Sequence, residues 1–156
     1  MSFWSRLFGR RPVVLIGDVE GGEVLIEGHV EVLDPEAMVA DPVSGDLCVF
    51  AHYEAYMPDY AQRLMIVGGG GPMNLVAKSA QGTDFVLRDA SGVARIEVNA
   101  GADLLALHPE MLSRHGFELK VQTQLIKAGD RVRVRGQVAK MMEGSPMRRE
   151  PFAAIV

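Results

Sequence analysis

A chain of 156 residues, 48% of them apolar, has the length and composition of one folded domain with a core of its own and not of a disordered segment. Its single cysteine, Cys48, excludes an internal disulfide and any zinc knuckle or RING built on cysteine pairs. No apolar run approaches the roughly 18–20 residues that span a bilayer, and the N-terminus lacks the apolar stretch of a secretory signal, so a cytoplasmic protein is expected.

The net charge of −4 is unevenly spread: residues 1–12 carry +3, residues 13–112 carry −12, and residues 113–156 carry +5. Duplex-binding domains usually show a basic excess, because counterion release drives their affinity. Here the chain as a whole does not, and its C-terminal quarter does.

Residues 1–12 stand apart as an amphipathic or flexible segment. Phe3, Trp4, Leu7 and Phe8 share one face at helical spacing, and Arg6, Arg10 and Arg11 add positive charge. Such a segment can lie on a membrane with its apolar face buried and its arginines at the headgroups, which makes Phe3, Trp4, Leu7, Phe8, Arg10 and Arg11 the candidate membrane contacts. Pro12 ends it, and residues 13–156 are expected to form one domain.

Extended runs follow one another. VVLI (13–16) reads as a strand, and EVLIEGHVEVL (23–33) as a second, with Gly28 at a bend or bulge. DPEAMVADPVSG (34–45) is a loop or short helical piece. DLCVFAHYEAY (46–56) is apolar on both faces and predicts a central strand. RLMIV (63–67) pairs back, GGGG (68–71) is a loop, and LVAKSA (75–80) is a further strand. FVLRDASGVARIEV (85–98) is a hairpin: Phe85 and Leu87 share one face of its first strand, and Ala94, Ile96 and Val98 share one face of its second. Asp89 opens the turn and Gly92 closes it in a type I pattern, with Gly92 able to take a positive φ. The turn is read as geometry, not catalysis. One helix is predicted at about 102–115, with Pro109 suited to a first helical position and Gly116 to its C-terminal stop. Runs 117–126, 131–140 and 147–156 complete the chain as three strands.

The fold expected is mainly β: an elaborated OB-like antiparallel barrel, closed or partly open, with the helix before its last three strands.

Candidate chemistry is thin. Gly68–Gly71 lacks the Lys-Ser/Thr of a phosphate-binding P-loop. His29, His52, His108, His115, Cys48 and Glu54 show no zinc spacing, so no metal and no cofactor is expected. Cys48 sits in an apolar strand, where a thiol stays protonated and inert. Ser44, Ser79, Ser91 and Ser113 lack a nucleophile-elbow context. No enzyme is expected. Arg131, Arg133 and Arg135 alternate with Val132 and Val134, so their guanidinium groups stand on one strand face; Arg148 and Arg149 follow on the next strand. These five arginines are the candidate contacts for an anionic partner: lipid headgroups, nucleic acid or an acidic protein. The aromatics that would stack on bases are Phe117 and Phe152, which suit a core equally well.

Three stretches in order, DPVSGDLCVFAHYE (41–54), FVLRDASGVARI (85–96) and QLIKAGDRVRVRGQV (124–138), resemble the GIDE/MULAN-type or "beside a membrane" domain. That family is known from mitochondrial and chloroplast membrane-anchored ubiquitin ligases and from prokaryotic membrane proteins. The similarity covers about residues 22–140. Without transmembrane helices or a RING, the ligase activity does not carry over. The resemblance implies a non-enzymatic adaptor that binds a protein partner, peripheral to a membrane. The alternative is an OB-like single-stranded nucleic-acid binder that uses the arginine face. The residues select no oligomeric state.

Overall fold

The computed structural model describes residues 11–59, 73–141 and 151–155. The chain is mainly β, with one α-helix among the described residues, and its contacts divide it into two compact units. The first unit comprises residues 1–37, 83–99 and 127–156; the second comprises 38–82 and 100–126 and so enters the chain at two places.

The first unit is a barrel-like sheet of five strands: β1 (Glu23–Val32), β6 (Phe85–Asp89), β7 (Gly92–Val98), β9 (Arg131–Met141) and β10 (Pro151–Ile155). The ladder runs β1-β6-β7-β10-β9 and closes by pairing β9 with β1. Among these strands every pairing is antiparallel except β7 with β10, which is parallel. Period-two alternation places Val24, Ile26 and Val30 of β1 inside with Phe85, Leu87, Ala94, Ile96 and Val134. Burying side chains of this size stabilises the fold by roughly 1.5–3 kcal/mol each.

Gly28 explains how one strand serves two neighbours. β1 pairs with β9 over Glu23–His29 and with β6 over His29–Val32. At the changeover a Cβ on Gly28 would stand 2.4 Å from the Arg88 carbonyl oxygen. Only a residue without a side chain lets β6 come so close.

Residues 13–16 do not form the expected strand. Val14 makes a single parallel bridge to Ile26, and Ile16–Asp18 is a turn of 3₁₀ helix. Ile16, 1% exposed, is anchored by side chains of the β6–β7 turn. Gly92 does not use the positive φ open to a glycine. Asp89 holds the turn instead: its Oδ1 accepts from the N–H groups of Ser91 at 2.7 Å and Gly92 at 3.0 Å.

In the second unit β4 (Phe50–Pro58) is the centre of a three-stranded antiparallel sheet, flanked by β5 (Met73–Gly82) and β8 (Lys120–Ile126). β2 (Val39–Ala40) and β3 (Leu47–Cys48) form a short hairpin beside it. Helix α1 (Leu104–His115) is capped by Asp103, whose carboxylate accepts from the Ala106 N–H at 3.1 Å, while Gln81 Oε1 accepts from the Leu104 N–H. Pro109 is the sixth helical residue, not the first; its missing N–H forgoes one bond of the helix interior. Gly116, at φ 75°, ends the helix as expected. The core joins Val39, Cys48, Ala51, Tyr53, Ala55, Leu104, Met111 and Leu119. Phe117, read as equally suited to a core, is 96% exposed in a 3₁₀ turn that precedes β8.

Candidate functional site: the arginine face of the barrel

Strand β9 alternates as the sequence requires: Val134 is buried, while Arg131, Arg133 and Arg135 are exposed on the outer face. The register sets His29 opposite Arg131, Glu27 opposite Arg133 and Leu25 opposite Arg135. Glu23, Glu27 and Glu31 are spaced by four along β1 and so share this outer face.

Each of the three arginines meets a glutamate of β1. Arg131 Nη2 and Arg133 Nε take the two carboxylate oxygens of Glu27 in close contact. Arg135 Nε lies 3.5 Å from Glu23, which Arg11 also contacts at 2.9 Å. Arg88 of β6 grips Glu31 with two hydrogen bonds of 2.5 and 3.2 Å. The hydrogen bond from Arg133 holds the Glu27 carboxyl below its ordinary range, and that from Arg88 does the same for Glu31. The Arg88 guanidinium is pushed up in turn by Glu31. Five arginines therefore share three glutamates, and the face keeps a surplus of positive charge.

Of the other expected contacts, Phe3, Trp4, Leu7, Phe8, Arg10, Arg148 and Arg149 lie outside the described residues, as do RLMIV (63–67) and the four glycines at 68–71. Arg11 is described and belongs to the arginine face. Sequence reasoning missed Arg88, Arg11 and His29 as members of this face. The glutamate spacing was visible in EVLIEGHVE, but nothing local says which strand lies beside β1.

The second unit uses its polar residues differently. Cys48 is fully buried and directs its thiol at the Val39 carbonyl, 3.4 Å away. His52 and Glu54 lie on the opposite face of β4 from Tyr53 and stand 3.9 Å apart; Glu54 also accepts from the Tyr56 hydroxyl and faces Lys78 at 3.9 Å. Cys48, His52 and Glu54 do not converge. Among the described residues no group of three or more His, Cys, Asp or Glu side chains could hold a metal ion. Buried Tyr53, its phenol pushed up by desolvation, meets His108 Nδ1 at 3.0 Å with the rings in an edge-on arrangement.

Ser44 and Ser91, weighed as nucleophiles, serve the loops. Asp41, 3% exposed, accepts from the Ser44 hydroxyl at 2.6 Å, the Ser44 and Val43 N–H groups, and the Thr123 hydroxyl. Burial pushes this carboxyl up, but these bonds outweigh it and the net direction is down. Asp89 shows the same balance, with Ile16, Ser91 and Gly92 as its donors.

No protein-family model, no curated protein and no solved structure matches this chain. No helix among the described residues is long and apolar enough to cross a membrane.

Proposed function

We propose that this protein is a non-enzymatic interaction module, OB-like and of the GIDE type, that binds a protein partner through the outer face of β9, β1 and β6. The OB-like reading is supported by the ladder order, in which the last strand lies between the third and fourth of the barrel and runs parallel to the third. The GIDE reading is supported by where its motifs fall. The polar residues of all three, Asp41 and Ser44, Asp89 and Ser91, and Asp130, hydrogen-bond to backbone N–H groups and fix loops. They are residues of a scaffold.

One observation carries the choice of partner: arginines and glutamates interleave on the face, with the arginines in excess. Such a mosaic offers oriented guanidinium groups to carboxylates while Glu23, Glu27 and Glu31 repel a continuous run of phosphates. The outer residues of β6 and β7 are Val86, Arg88, Val93, Arg95 and Glu97, with no aromatic ring to stack on a base. A protein surface or acidic peptide is the better fit than single-stranded nucleic acid.

The test compares the native chain with a variant in which Arg131, Arg133 and Arg135 are all changed to Glu. Capture of a partner from native lysate should be lost in the variant, and neither form should shift a single-stranded oligonucleotide. An oligonucleotide shift abolished by the variant favours the nucleic-acid reading instead. The membrane contact expected of residues 1–12 is tested separately, by liposome co-sedimentation with and without them; equal behaviour removes it.

A further inference from the structure

On the arginine face one cross-strand row is unlike its neighbours. The register of the two ladders sets Arg131 of β9 and Arg88 of β6 on either side of His29 of β1. Three basic side chains thus occupy one row across three adjacent strands, about 4.7–4.9 Å from strand to strand. In the neighbouring row Arg133 faces Glu27. A depression of about 370 Å³ lies over the row, lined by Arg88, His29 and Arg131, by Gly28 and Ala90, and by the acids Glu27 and Asp89.

We infer that this row is a seat for one oxyanion, and specifically for a phosphomonoester carried on a partner protein. The inference rests on the reading of this face as a protein-binding surface and names the chemistry recognised at one point of it.

The donors suffice. Arg88 holds Glu31 with Nε and Nη2, so Nη1 remains for an incoming anion. Arg131 meets Glu27 through Nη2, and its side chain is 69% exposed. Both guanidinium groups can therefore serve an anion without giving up their glutamates. His29, shorter and between them on the sheet, carries a ring N–H in either tautomer. The nearby acids are engaged: Glu27 by two arginines, Glu31 by Arg88, and Asp89 by the N–H groups of Ile16, Ser91 and Gly92.

Two observations select the ligand. The depression opens to solvent, whereas sites for free small molecules enclose most of their ligand; the group therefore arrives attached to something larger. The seat is a single point with glutamates on β1 to either side of His29, at Glu27 and Glu31. A phosphomonoester concentrates a charge of about −1.5 to −2 on one tetrahedral group with three free oxygens, which suits donors offered from three adjacent strands. A diester backbone carries its charge as a run and meets the glutamates.

The experiment uses the full chain, with amide and histidine-ring NMR signals followed at constant ionic strength. Inorganic phosphate should produce saturable shifts at Gly28, His29 and Ala90 that chloride does not reproduce. A neutral peptide with one phosphoserine should bind at the same signals, and its unphosphorylated form should not. Arg88→Gln and Arg131→Gln should each weaken phosphate binding about tenfold, as expected for loss of a charge-assisted hydrogen bond. Arg114→Gln, on the helix of the second unit where it pairs with Glu110, should leave it within about twofold. Shifts that stay linear and match chloride overturn the seat, as does saturable binding that survives Arg88→Gln combined with Arg131→Gln. Either result leaves the lysate capture to stand or fall by itself, so the seat and the protein-binding reading are judged apart.

Discussion

The Asp89 carboxylate reaches across 73 positions of sequence to accept a 2.8 Å hydrogen bond from the backbone N–H of Ile16. Its neighbour Ser91 accepts from the Gly17 N–H, also at 2.8 Å. One hairpin turn thus closes itself and anchors the segment before β1. A Cβ on Gly17 would stand 2.9 Å from the Ser91 carbonyl oxygen, so the two segments lie too close for a side chain there.

Asp89→Ala removes the acceptor of three backbone N–H groups at once. Leaving such donors unmatched is expected to destabilise the first unit by about 2–3 kcal/mol. Urea unfolding followed by fluorescence measures the loss, and faster hydrogen exchange at the Ile16 amide locates it. An unchanged midpoint would show that the turn closes without the carboxylate.

The same carboxylates predict an acid limb. Asp41 and Asp89 both have folded pKa values below those of an unfolded chain, near 3.9. A group of this kind stabilises the fold fully above its unfolded pKa, and the contribution disappears as pH falls through the lower folded value. Stability should therefore be flat with respect to these two groups from neutral pH to about pH 5 and decline below about pH 4. Asp89→Asn should show a shallower decline over that window in urea titrations at stepped pH.

Gly28→Ala tests the changeover of β1 from β9 to β6. The added methyl meets backbone, which cannot swing aside as a side chain can. An overpacking cost of about 1–3 kcal/mol is expected, with chemical-shift changes concentrated at Leu87 and Arg88. A neutral substitution would mean that the two strands separate without penalty.

Tyr53→Phe removes the bond to His108 while keeping the buried ring. A cost of about 0.5–1.5 kcal/mol is expected, read as weaker hydrogen-exchange protection in helix α1. Protection that falls equally in β7 and β9 would argue against a role local to the second unit.

Glu27→Gln should leave the thermal midpoint nearly unchanged, because exposed ion pairs contribute little. It should strengthen capture of an acidic partner, since Arg131 and Arg133 lose their shared counter-charge. The gain should shrink as salt is raised. Weaker capture would show that Glu27 orients the arginines more than it competes for them.

The hairpin at 85–98, the central place of β4 and the outward arginines of β9 were legible because each is a local, period-two pattern. Residues 13–16 misled because four apolar residues in a row suit a strand and a buried turn alike; Ile16 is buried through the turn of β6 and β7, not through a ladder. Phe117 misled for the opposite reason. Hydrophobicity marks what gains from burial, but the turn after Gly116 leaves that ring in solvent. Pro109 fits the rule for a helix start, yet Asp103 and Gln81 satisfy the first N–H groups and start the helix five residues earlier.

Alternation, turn residues and a lone buried thiol are properties of neighbours along the chain. From them the amino-acid sequence by itself determined a mainly β protein, with one helix among the described residues, and which side chains of its strands face outward. Which glutamate each arginine meets, the row of Arg131, His29 and Arg88, and the parallel pairing of β7 with β10 were decided only by the tertiary structure. The reason is physical: a strand's own pattern fixes its inner and outer faces, while the identity and register of the strand beside it depend on segments tens of residues away.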